Sequence, residues 1–225
     1  MNKVLFIAPH ADDEVLGCGA TMNHCVNLGD EVYVLIATNA SVGAPELFSP
    51  QAIKTVREEA LVAHRLLGIK DTLFLELPAP ALDQYPCYKI ANAIVDVMKK
   101  LEIDTVYIPH RGDSHKDHRA IHEAAMVACR PLPGARVKRV YAYETLSETE
   151  WGEPIPSEMF VPNRFVAVSE SEFEMKLKAM SCFKSQLREF PSTRSLESIE
   201  ALGKLRGATV GEKRAEAFEV IREIV

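Results

Sequence analysis

His10-Ala11-Asp12-Asp13-Glu14 sets one imidazole beside three consecutive acids, directly behind the apolar run Val4-Leu5-Phe6-Ile7. About a hundred residues on, His110-Arg-Gly-Asp113-Ser-His115-Lys-Asp117-His118 repeats the combination behind Thr105-Val-Tyr-Ile108. Imidazoles and carboxylates together ligate divalent metals, and a carboxylate left over serves as a base. His10 and Asp13 are close enough to hold one ion, and His118 is the natural third ligand. Two histidines, one carboxylate and one open position form a catalytic zinc arrangement. With two open positions the same set suits ferrous iron. Zinc lowers the pKa of water from about 15.7 to about 7, and Asp12, adjacent to a ligand, is placed to take the proton. His115 is placed to donate a proton to a leaving group or to polarise a carbonyl, and Asp117 to orient one imidazole through its free N–H. The competing reading is that Asp12, Asp13 and Glu14 only cap a helix and complement its dipole, with His115 and His118 as surface or capping residues.

Both clusters need strands to place them. Residues 3–8 read as a buried strand and roughly 14–29 as a helix stopped by Gly29-Asp30. Glu31 to Thr38 is a second strand, and Asn39 to Pro50 a loop at the edge of a site. Gln51 to Leu67 is a helix ending at Gly68, with Val56, Ala60, Ala63 and Leu67 on one stripe and Arg57, Glu58 and Glu59 off it. Strands at Thr72 to Leu77 and Thr105 to Ile108 flank a helix from Cys87 to Leu101, and a helix over Asp117 to Cys129 precedes a strand over Val137 to Tyr143. Ser147 to Asn163 carries Trp151 and three prolines and reads as an irregular excursion. A strand at Arg164 to Val168, a helix at Glu170 to Lys184 and a final helix at Glu212 to Val225 close the chain. This alternation predicts a single α/β domain over 1–225, Rossmann-like, with a mainly parallel sheet covered by helices on both faces. Side chains at the carboxyl ends of such strands face the crevice where these folds bind ligands.

Composition narrows the classes. The 225 residues suffice for a sizeable core, and 47% hydrophobic with 26% charged residues is ordinary for a globular chain. A net charge of −6 argues against a nucleic-acid partner, and no run approaches the ~18 apolar residues of a membrane helix. Five cysteines without a CxxC pair argue against a disulfide framework and a thiolate metal site, and read as reduced, partly buried thiols. A cytoplasmic protein acting on a small molecule is the expectation. Lys99-Lys100 and Lys176 with Lys178 read as solvated helix faces, and Gly17 and Gly19 as close-packing positions in the first helix.

Pro9-His10-Ala11-Asp12-Asp13-Glu14 and His115-Lys116-Asp117-His118, in that order and each behind a strand, resemble the (P/A)H(P/A)DDE and HxDH motifs of the PIG-L/LmbE family of metal-dependent N-deacetylases. Arg57-Glu58-Glu59, Lys184-Ser185-Gln186, Arg206-Gly207 and Ala215-Glu216-Ala217-Phe218 extend the resemblance over nearly the whole chain. It implies His10, Asp13 and His118 as ligands of zinc, Asp12 as general base, and His115 as the electrostatic or acid partner tuned by Asp117. Arg57 would meet the substrate, an acetylated amino sugar such as an N-acetylglucosamine unit on a lipid, an inositol, a malate or a glycan. Several members are homo-oligomers, which is a further expectation. Two points depart from the family pattern. Thr38-Asn39-Ala40 stands where relatives often read Thr-Asp-Gly, and no one tyrosine (Tyr141 or Tyr143) is marked as the mobile residue some members use.

Two other classes compete. A non-catalytic nucleotide- or sugar-binding α/β module fits the fold, but the first strand lacks GxGxxG behind it and its acids would repel a phosphate. A carboxylate-pair glycosidase leaves His10 and His118 without a role.

Overall fold

The computed structural model describes residues 1–225, and the chain order explains where the two clusters meet. Strands β1 (Lys3–Ala8), β2 (Glu31–Asn39), β3 (Asp71–Pro78), β4 (Thr105–Pro109) and β5 (Arg139–Tyr143) are parallel. With β6 (Arg164–Ala167) and β7 (Ala215–Glu223), they form one sheet of order β3-β2-β1-β4-β5-β7-β6. The chain runs outward from β1 to β3, then returns to β4 on the other side of β1. The carboxyl ends of β1 and β4 are therefore neighbours at the point where strand order reverses, and the crevice lies there.

Alternate residues of each central strand face opposite helical layers, as the period-2 geometry of a strand requires. Val4, Phe6 and Ala8 join Val32, Val34 and Ile36 in a core with α1 (Asp13–Asn27) and α3 (Pro50–Leu67). Further along the chain α6 (Glu170–Met180) and α7 (Leu196–Thr209) complete that layer. Leu5 and Ile7 join Leu35, Val106 and Ile108 against α4 (Cys87–Leu101) and α5 (Lys116–Ala128). Helices thus cover both faces, as the alternation predicts. Burying a Leu, Ile or Phe of this kind stabilises by about 1.5–3 kcal/mol. Gly17 lets α1 approach β5 closely: a Cβ there would sit 2.4 Å from the Tyr143 ring.

The ends of α3 follow its local chemistry. Ser49 Oγ accepts from the Ala52 N–H at 3.1 Å, Pro50 opens the first turn, and Gly68 closes the helix at φ 81°. The Asn39 to Pro50 loop holds a four-residue helix, α2 (Ala40–Gly43), capped by the Asn39 side chain.

Three expectations fail. Residues 215–223 form β7, antiparallel to both β5 and β6, rather than a helix. Their Ala, Glu and Arg favour a helix in isolation, but two waiting strand edges override that weak preference. Helix α7 went unread, and α6 ends at Met180 instead of Lys184. Lys176 is not on a solvated face: it is 4% exposed and its Nζ pairs with Glu216. Lys99, Lys100 and Lys178 are exposed as expected. All five cysteines are free thiols, and no helix is long and apolar enough to cross a membrane.

Candidate metal centre

The first motif turns sharply after β1. Asp12 sits at φ 127°, a conformation that costs a non-glycine residue energy and persists only where surroundings enforce it. They do so through its successors. Asp13 Oδ2 accepts from the His10 N–H at 2.8 Å, and Glu14 Oε2 from the Asp12 N–H at 3.2 Å. Glu14 Oε1 meets His64 Nε2 at 2.9 Å, and His64 Nδ1 meets Thr72 Oγ1, so the turn is anchored to α3 and β3. The Asp12 side chain makes no capping hydrogen bond, whereas Asp13 and Glu14 stand in the first turn of α1, where their charge also complements the helix dipole.

The second motif places α5 opposite it. His118 Nε2 lies 3.1 Å from Asp13 Oδ2, and His10 Nδ1 lies 3.2 Å from the same oxygen. The ligand atoms of His10, Asp13 and His118 all lie within 4.8 Å of one another. Asp13 Oδ1 is buried without any hydrogen-bond partner, and His118 Nε2 has only the Asp13 carboxylate beside it, so both atoms have capacity for a further ligand. The outer nitrogens are also fixed: His10 Nε2 pairs with Asp117 Oδ2 at 3.1 Å and His118 Nδ1 with Asp113 Oδ2 at 2.8 Å. Carboxylates in that outer position orient metal-binding imidazoles and raise their basicity. The donor set, its spacing and its orphaned atoms fit a divalent metal. A second trio, His10, His115 and Asp117, also converges. There, however, Asp117 Oδ2 is already bonded to His10 and His115 Nδ1 accepts the Asp117 N–H at 3.1 Å.

Charge in this cluster is strongly displaced. Burial opposes the charge on Asp13, but His118 and His10 outweigh it and hold the carboxyl well below its usual range. Burial also works against a charged His10, yet Asp117 and Asp13 carry it up to about 9. His118 is raised against the same burial by Asp13 and Asp113. Asp12 is pushed up to about 8 mainly by burial, with Arg194 opposing. Burial and then His10 push His115 down to about 4, so it is neutral at pH 7, with its proton on Nε2 because Nδ1 accepts a hydrogen bond.

Beside these groups opens a cavity of about 270 Å³. His10, Asp12 and His115 line it together with the apolar Phe48, Ile53 and Val56 and the polar Arg57, Glu148, Gln186 and Arg194. Every predicted site residue except the buried Asp13, Asp117 and His118 lines this cavity; Asp13 and Asp117 contact His10 of the lining, and His118 contacts Asp13. The carboxylate of Asp117 meets His10; it is 4.0 Å from His115, which it serves through its backbone N–H instead. Tyr141 and Tyr143 are sheet residues: Tyr143 is fully buried with its hydroxyl donating to Ile7 O, and Tyr141 reaches Glu223. Trp151 is 62% exposed and outside the cavity. His110 turns away to Glu219 and the Glu158 carbonyl. Sequence reasoning assigned no role to Asp113, Glu148 or Arg194. Asp113 stands within the second motif, whereas nothing local marks Glu148 or Arg194.

The structure defines an α/β protein with a mainly parallel sheet and a two-histidine, one-carboxylate cluster at its switch point, and comparison with known proteins specifies the family. The chain belongs to the PIG-L family of GlcNAc-PI de-N-acetylases, whose pattern matches residues 5–129. It is 30% identical over 187 residues to the uncharacterized deacetylase YaiS of Escherichia coli (strain K12), covering 81% of this chain and 90% of that protein. It is 27% identical over 201 residues to the diacetylchitobiose deacetylase of Thermococcus kodakarensis, covering 84% and 72%. The N,N'-diacetylchitobiose deacetylase of Pyrococcus horikoshii superposes with a TM-score of 0.76 at 23% identity over 98% of this chain and 84% of that one, a likeness of fold.

Proposed function

We propose that this protein hydrolyses the N-acetyl amide of an N-acetylglucosamine-type amino sugar or its conjugate, with His10, Asp13 and His118 holding zinc or, alternatively, ferrous iron. The observation that carries the reading is the convergence of those three side chains, with Asp13 Oδ1 buried and unpartnered, beside a cavity that His10 lines and that also presents Asp12. His10, Asp13 and His118 would hold a divalent metal there, which would supply Lewis-acid polarisation of the acetamide carbonyl and a more acidic water. Asp12, kept in its strained turn, accepts the proton of the attacking water. His115 lines the cavity with Nδ1 accepting from the Asp117 N–H, which leaves Nε2 to donate to the forming oxyanion. Asp12 or His115 then returns a proton to the departing amine. Asp117 and Asp113 hold the two ligating imidazoles in orientation. Arg57, in the cavity lining, is a substrate contact in this reading. Names of the family and of the T. kodakarensis relative support the acetylated amino sugar as substrate class.

Elemental analysis with an acetate-release assay on N-acetylglucosamine and its conjugates tests the proposal. About one zinc per chain with acetate released is the expected result. Asp12→Ala retains the metal and loses nearly all turnover, while His118→Ala loses both. Full activity in Asp12→Ala would remove Asp12 as base, and failure to bind zinc or iron would remove the hydrolase reading.

A further inference from the structure

The cavity's two cations, Arg57 and Arg194, are both already partnered. Arg194 Nη1 lies 3.1 Å from Asp12 Oδ2 and is braced by Ser147 and Gln186. Arg57 Nη1 donates to Glu76 Oε1 at 2.8 Å, its Nη2 reaches the carbonyls of Thr38 and Leu75, and its guanidinium lies 4.8 Å from the Phe74 ring centre. Glu76 is gripped from the other side as well, because Asn39 Nδ2 donates to its second oxygen. An aspartate at position 39 would set one carboxylate against another. The amide found there donates instead, so Asn39 and Glu76 work as a unit. Besides the two histidines, the two arginines and Asp12, the charged side chain lining the cavity is Glu148, whose Oε2 accepts from Ser114.

We infer that the cavity selects uncharged acetylated sugars and that Glu76, by occupying Arg57, is the residue that sets this selectivity. The inference rests on the deacetylase reading and narrows its substrate class. An anionic substituent, such as a phosphate or carboxylate on the sugar, finds no free cation in the lining and meets Glu148. Desolvating such a group without a partner is costly. Neutral hydroxyls find an acceptor on Glu148 and need no cation. One face of the ring finds the apolar wall of Phe48, Ile53 and Val56.

The test compares acetate release from N-acetylglucosamine and N-acetylglucosamine 6-phosphate by the zinc-loaded wild type and its Glu76→Gln variant. Glu76 has a side chain 56% exposed, so the fold tolerates the change. The wild type is expected to favour the neutral sugar in kcat/KM by about fivefold or more, and Glu76→Gln to shift the ratio toward the phosphate by about fivefold, through KM. Adding Arg57→Gln to that variant should remove the shift. Equal or better use of the phosphate by the wild type, or an unchanged ratio in Glu76→Gln, overturns the inference. Calorimetric binding of glucosamine and glucosamine 6-phosphate reads the same ratio without turnover. If binding shifts as expected while no acetate appears from either substrate, the selectivity stands and the deacetylase reading falls.

Discussion

Arg194 reaches Asp12 from the opposite end of the chain, its Nη1 3.1 Å from Asp12 Oδ2. The same guanidinium donates through Nε to Ser147 Oγ at 2.8 Å. The segment after β5 and the segment between α6 and α7 are therefore tied together at the carboxylate proposed as base. Burial favours a protonated Asp12, and Arg194 is the neighbour that most strongly opposes this.

Removing that charge should be visible in a pH profile. A cation within ~4–6 Å depresses a carboxyl by about 1–3 units. Without it, Asp12 ionises only at higher pH, so the acid limb of kcat/KM in Arg194→Met should move upward by about 1–3 units. Zinc content measured on the same sample separates this effect from loss of the centre. A limb that stays in place would mean that another group sets it.

Asp113 provides a second test. Its Oδ2 fixes His118 Nδ1 at 2.8 Å, and its Oδ1 accepts from Thr149 Oγ1 at 2.6 Å. Loss of such a supporting carboxylate costs about 10–100-fold in metal affinity. Asp113→Ala should weaken zinc binding by that factor in a chelator competition titration. Affinity unchanged in the variant would show that His118 needs no such support.

The three residues proposed as ligands could be singled out because each sits in a contiguous motif behind an apolar strand, and the β1–β4 pairing brings the two motifs together. The central strands and α4 were legible for a similar reason: their apolar residues follow the period of the element. Helix α7 was not, because the face it buries consists of Ile199, Gly203 and Gly207, and two glycines carry no hydrophobic signal. The 215–223 segment misled through its helix-favouring composition. Lys176 was misplaced as a consequence, because its partner Glu216 was assigned to that helix. Arg194, Glu148 and the apolar wall come from loops whose meeting place only the tertiary fold determines.

Lys176 and Glu216 make a buried pair beneath α1. Lys176 Nζ also donates to Leu16 O at 2.7 Å, and Glu216 Oε2 accepts from the Thr21 N–H at 2.7 Å. Removing one partner of such a pair leaves an uncompensated buried charge and costs about 3–5 kcal/mol. Lys176→Met should therefore destabilise by that amount in urea denaturation. Lys176→Met with Glu216→Gln should recover part of it, because no buried charge is left over. A double variant no more stable than the single one would show that the contacts to α1, rather than the charge balance, dominate.

Glu172 supplies a pH-dependent test of α6. It completes a capping box with Ser169 and accepts from Asn27 and His24 across to α1. Burial works against its ionisation, but the hydrogen bonds from Ser169, Asn27 and His24 prevail and bring its carboxyl down to about 2 from an ordinary value of 4.5. A folded-state pKa below the unfolded one means that the folded state favours the ionised form. The stabilisation is therefore fully present above the unfolded value and fades as pH falls toward the folded one. Glu172→Gln should thus be less stable than the wild type at pH 7, and the gap should narrow between pH 4.5 and about 2. Urea midpoints for both proteins across that range measure it. A gap that stays constant with pH would mean that the capping geometry, not the charge of Glu172, holds α6 against α1.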